Sequence, residues 1–187
     1  MSSQNIRKMV TTALIIALAI VFQMLRPVLG GSNIISTYII GSLVNLCLIV
    51  AAVAVGLWSG IVVAVITPLI ALMQGHVALV QLVPWIIAGN AVLVLIYAFF
   101  GMKDKTSLSV SWPRWAIVGV IAAVVKFAVM AFGQSTVLTS VKSLTFGVAF
   151  PTSVSAQVVQ IITAVIAMII SGIVLPMLPA KVVGKNA

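Results

Sequence analysis

Acidic side chains are almost missing from this sequence: Asp104 is the sole Asp or Glu, set against ten Lys and Arg. That scarcity excludes carboxylate-based metal sites and the Asp/Glu relays of proton-coupled transporters. The single cysteine, Cys47, lies in an apolar run and leaves no disulfide framework and no thiol metal site. The single histidine, His76, has no acidic partner, which excludes the membrane metalloproteases. No Gly-x-x-x-x-Gly-Lys-Ser/Thr loop occurs, so the chain does not itself hydrolyse ATP. No nucleophile–base or metal constellation points to an enzyme.

Charge of either sign is scarce as well, at 6% of residues, against 63% hydrophobic residues and a mean hydropathy of +1.36. A soluble domain needs more charge than this to cover its surface. The chain therefore reads as an all-α integral membrane protein, one domain over residues 1–187. Its net charge of +9 flanks apolar runs. That placement speaks for topology and a lipid bilayer with anionic headgroups, and against nucleic acid.

Six apolar runs stand out, at Met9–Leu25, Tyr38–Val55, Gly60–Gln74, Gln81–Gly101, Trp115–Gly133 and Ser153–Leu175. Within a membrane each must satisfy its own backbone, so each reads as a helix, and the alternation of a β-barrel is missing. The first run follows a basic start but has no small-residue cleavage site, and it reads as a retained helix. Gly56–Gly60 reads as a tight turn, and Pro68 as a kink in the third run. With six spans both termini share a side with Arg7, Lys8, Lys103, Lys105, Arg114, Lys181 and Lys185, while only Arg26 and Lys142 lie opposite. This asymmetry places both termini in the cytoplasm. Trp58, Trp112 and Trp115 then read as inner-interface belt residues. Outside, residues 26–37 and 134–152 read as Gly/Ser/Thr-rich loops able to fold over the mouth of the bundle.

Lys126 is the one charge inside a span. It lies eleven residues beyond Trp115, about 17 Å up a helix. No carboxylate of its own chain is at hand, so a ligand, a partner, water or proton loss must neutralise it, and it marks a functional site. Removing it is expected to relieve a desolvation cost in the empty protein. Gln157 and Gln160 share a face of the last span at a similar depth, and Gln81, Trp85 and Asn90 lie on the fourth. Asn33 in the outer loop and His76 near the outer end of the third span complete the candidates. Each also has a structural reading: interhelical glue for Gln and Asn, interface anchoring for Trp85 and His76. With no acid in the spans, a cationic ligand finds no counter-charge, whereas a carboxylate finds Lys126 and, if the outer loop folds in, Arg26. On the first span Ala13 and Ala17 form a smooth strip where another helix can approach.

A basic start leading into TTALIIALAIVFQ, six spans in 187 residues and the stretch AAVAVGLWSGIVVA at Ala51–Ala64 resemble the S-components of energy-coupling factor (ECF) transporters. These are the substrate-binding membrane subunits of ABC-type vitamin importers in bacterial plasma membranes. The resemblance implies a small water-soluble vitamin bound from the outer side, and a match of Ala13-Leu-Ile-Ile-Ala17 to the family's contact with the transmembrane T-component. It also implies two cytoplasmic ATPase subunits that use the ATP, with no cofactor on this chain. Among vitamins of that family, an anion with hydroxyl or amide groups such as pantothenate suits Lys126 best, with nicotinate and folate as alternatives. The competing expectation is a self-sufficient facilitator or channel for small organic anions.

Overall fold

The computed structural model describes residues 3–31, 33–77, 79–102 and 108–178. Six α-helices run through them: α1 (Ser3–Met24), α2 (Ile34–Val50), α3 (Leu57–Met73), α4 (Val83–Ile96), α5 (Trp112–Lys142) and α6 (Phe146–Met177). No strand occurs among the described residues. A π-helical turn extends α2 over Ala51–Val55 and another extends α4 over Tyr97–Gly101. Five helices are long and apolar enough to cross a membrane: α1, α5, α6, and α2 and α4 with their extensions. The remaining helix, α3, has 17 residues, which is about 26 Å against a hydrocarbon core of about 30 Å.

The helices pack as a ring in the order α1, α3, α4, α5, α6, α2 and back to α1, and α2 also touches α3 and α4 across it. Small side chains make these approaches possible. Ala52, Ala64, Ala122, Ala123, Ala164 and Ala167 are all buried in the common core. Two glycines govern the packing around Lys126 and Trp85. A Cβ on Gly89 would stand 3.1 Å from the Met130 side chain and 3.5 Å from Cγ of Lys126, so its absence lets the lysine stem pass α4. A Cβ on Gly133 would collide with the Trp85 side chain.

The segment at 134–152 is not a loop. Helix α5 runs on to Lys142, α6 begins at Phe146, and the link between them is Ser143–Thr145, with Ser143 in the left-handed region at φ 52°. Four of the polar residues that suggested a loop, Ser135, Thr136, Thr139 and Thr152, bond back to carbonyls of their own helices. Thr136 Oγ1 donates to the Gly133 carbonyl at 2.8 Å, Thr139 to Ser135 at 2.8 Å and Thr152 to Val148 at 2.8 Å. Hydroxyls bonded three or four residues back carry no loop signal. The Gly56–Gly60 turn likewise reduces to Gly56, at φ 133°, with α3 starting at the next residue.

Trp115 is not a belt residue either. It is fully buried, meets Tyr97 in a tilted ring contact at 4.9 Å, and donates its indole N–H to the Met168 carbonyl at 2.9 Å. A satisfied N–H removes the reason for an indole to stay at the interface. Trp58 and Trp112 are exposed. Asp104 and the cations Lys103, Lys105, Lys181 and Lys185 lie outside the described residues.

Candidate functional site

Lys126 is 3% exposed, and its amino group is held by two asparagines. Nζ donates to Asn45 Oδ1 at 2.6 Å and to Asn90 Oδ1 at 2.8 Å. A lysine only donates, so both amides must turn their oxygens inward. Asn45 is fixed in that sense by its other end, where Nδ2 donates to Thr163 Oγ1 at 3.2 Å. The Thr163 hydroxyl in turn donates to the Gln160 carbonyl at 3.2 Å. Helices α2, α4, α5 and α6 thus converge on one buried amino group. In its ammonium form it has three protons to give, and these two bonds use two of them.

The cavity beside Lys126 has a volume of about 140 Å³, and all six helices or their ends contribute to its wall. Asn45, Asn90, Lys126 and Gln160 line one part, and Thr67 and Pro68 of α3 another. Gln23 enters from the end of α1, while Arg26 and His76 come from the short links that follow α1 and α3. Three atoms of these last residues are buried with no hydrogen-bond partner: Gln23 Oε1, Arg26 Nε and His76 Nδ1.

Every charge on this wall is positive or can become so. Burial lowers the Arg26 pKa from its ordinary value, but a guanidinium remains charged in a protein. The His76 imidazole is held below its ordinary 6.5, first because burial removes water from the ring and second because Arg26 repels another positive charge. Cations around a small low-dielectric space concentrate a field that draws anions and repels cations. The donor set contains no carboxylate and no thiolate. Cys47 is buried elsewhere, and no group of His, Cys, Asp or Glu able to hold a metal occurs among the described residues.

The candidates named from sequence separate into two sets. Lys126, Asn90, Gln160 and His76 line the cavity, and so does Arg26. Gln157 does not line it, and its amide bonds instead to Gln134 across α5 and α6. Trp85 lies over Gly133 and meets Phe132 edge-on at 5.8 Å, away from the cavity. Gln81 is exposed, in the short turn before α4. Asn33 caps α2, its Oδ1 accepting from the Ser36 N–H at 2.7 Å. Sequence reasoning passed over Asn45, Gln23, Thr67 and Thr163. Asn45 carried the same signal as Asn90, an amide alone in an apolar run, whereas Gln23 looked like the polar end of a span.

Ala13 and Ala17 are exposed on α1. Ala13 lines a shallow groove of about 540 Å³ between α1 and α3, together with Lys8, Thr12 and Trp58. The Thr12 hydroxyl donates to the Lys8 carbonyl at 2.7 Å and accepts from the Ser59 hydroxyl at 2.8 Å, which ties α1 to α3 beside that groove.

In comparisons with known proteins, no family model, no curated protein and no solved structure matches this chain.

Proposed function

We propose that this chain is a membrane-embedded solute-binding subunit that captures a small organic anion, of the kind found as S-component in ECF-type importers. The observation that carries the reading is Lys126: a buried ammonium, held only by neutral amide oxygens, on the wall of a cavity that also receives Arg26 and His76. A buried cation without a counter-charge is costly. Two amide oxygens lower that cost and leave one N–H for a ligand carboxylate. The same lysine serves poorly as glue, because any polar residue of no charge would bridge two asparagines more cheaply.

In this reading α3 is a sixth span, both termini are cytoplasmic and the cavity opens outward. The ring of helices is a single substrate-binding domain in a bacterial plasma membrane. Energy comes from a T-component and two cytoplasmic ATPases, and the exposed Ala13/Ala17 face of α1 supports docking of that T-component. The ligand is a water-soluble vitamin or a comparable acid. A cavity of about 140 Å³ holds about five waters at about 30 Å³ each, which favours acids of nicotinate size, and a pantothenate-sized ligand requires it to widen.

The decisive experiment is identification by mass spectrometry of the small molecule that co-purifies with the protein. An organic anion retained by the wild type and lost from Lys126→Met supports the reading. A cation, or an anion held equally well by both proteins, overturns it. Reconstituted alone in vesicles, the protein should bind but not accumulate the ligand. Downhill flux without any partner would favour a channel instead.

A further inference from the structure

Gln23 is 5% exposed, and one end of its amide is spoken for. Its Nε2 donates to the Thr67 carbonyl of α3 at 3.1 Å. A carbonyl only accepts, so the amide cannot be reversed, and Oε1 must face away from α3. That oxygen is buried and has no partner, in a residue that lines the cavity. Gln23 therefore brings a fixed acceptor to the cavity wall, closed to water in the empty protein, and Lys126 brings a fixed donor to another part of it. Arg26 Nε, a donor, is likewise buried without a partner on the same wall.

Resting on the anion reading above, we infer that Gln23 is a specificity residue that accepts a hydrogen bond from a neutral N–H or O–H group of the ligand. The ligand class is then a small acid carrying a secondary amide or a hydroxyl at some distance from its carboxylate. Such a group both donates to Gln23 and accepts from Arg26, which matches the two orphan groups in their opposite senses. A plain alkyl or keto acid would satisfy Lys126 but leave Gln23 Oε1 unpaired. Sites built in this way reject the analogue lacking the donor more strongly than an apolar pocket rejects a shape change.

An isosteric pair of probes tests this by calorimetry on the purified full-length protein. N-acetyl-β-alanine has an acid and an amide N–H, and 5-oxohexanoate replaces that N–H by CH₂. The wild type should prefer the amide by about tenfold, the effect of leaving one buried acceptor unpaired. In Gln23→Met that preference should vanish while 5-oxohexanoate still binds, and Gln23→Leu repeats the comparison should the first variant not fold. Equal affinity of the wild type for both acids overturns the inference, because Gln23 then reads no ligand N–H, yet leaves the anion reading intact. A preference that survives in the variants overturns it too, because another residue then reads the N–H. If neither acid binds the wild type, the inferred ligand class is overturned, while the anion reading stands or falls on the molecule that co-purifies.

Discussion

Lys126 Nζ and Asn45 Oδ1 stand 2.6 Å apart although 81 residues separate them in the chain. The contact joins α5 to α2, while Asn90 joins the same nitrogen to α4. The site is thus a cross-link between helices as well as a place for charge, and the two roles respond differently to substitution.

Lys126→Met should weaken anion binding by about tenfold to a hundredfold, because a charge-assisted hydrogen bond contributes about 1.5–3 kcal/mol. It should also cost stability, contrary to the expectation that its removal only relieves desolvation. Two amide oxygens lose their donor, at about 1–3 kcal/mol for each that water in the cavity does not reach. Thermal unfolding of Lys126→Met beside Lys126→Met/Asn45→Leu checks this. The double variant should regain part of the loss, and additive losses would show that Asn45 does not depend on the lysine.

Asn45→Asp places a carboxylate where the amide oxygen now accepts. The folded protein should tolerate it, since Lys126 gains a counter-charge. Anion affinity should fall at least about tenfold, because the ligand must now displace or adjoin a resident anion. Titration with the co-purified ligand measures the effect, and undiminished affinity would show that the ligand does not meet Lys126.

The pH dependence comes from His76, whose pKa lies below 6.5 in the empty site. Unfolded, the ring titrates near its ordinary value. As pH falls from 6.5 toward the folded value, the unfolded state takes up protons first and the empty protein loses stability. A bound anion offsets the repulsion from Arg26 and pairs with the protonated ring, which raises the pKa. Binding should therefore take up protons, and affinity should rise as pH falls below 6.5. Calorimetry in buffers of different ionisation enthalpy reads this proton uptake, and His76→Gln should remove the part due to the ring.

Asn33→Ala should cost about 1 kcal/mol, the usual worth of a lost N-cap. Asn33 serves the start of α2 and does not line the cavity, so ligand affinity should not change. A drop in affinity at unchanged stability would return Asn33 to the binding site.

How much of this was legible in the sequence depended on whether a residue's role is set locally. The helices were legible, because backbone polarity in a membrane admits little else, and the one buried lysine announced itself by cost alone. The bounds of α5 and α6 were not, because serine and threonine look alike whether they bond to water in a loop or to a carbonyl one turn back. Gln157 and Gln160 share a helix face in any sequence reading, but only the packing of α5 decides that Gln134 engages the first. Gln23 was hidden for another reason. At the end of an apolar run a glutamine looks like a boundary marker, and its meaning comes from the Thr67 carbonyl, 44 residues on.

Helix α1 packs in the ring against α2 and α3 and has little of its surface buried. Yet it carries Gln23 on the cavity wall and, six residues earlier and about 9 Å down the rod, the exposed Ala17. A helix this stiff cannot shift at one end without shifting at the other. If docking on Ala13 and Ala17 displaces α1, the docked body and the ligand become thermodynamically linked through it. By reciprocity the factor by which either changes the other's affinity is the same in both directions. A subunit built in this way would report its occupancy to a neighbour by the free energy of one helix's position.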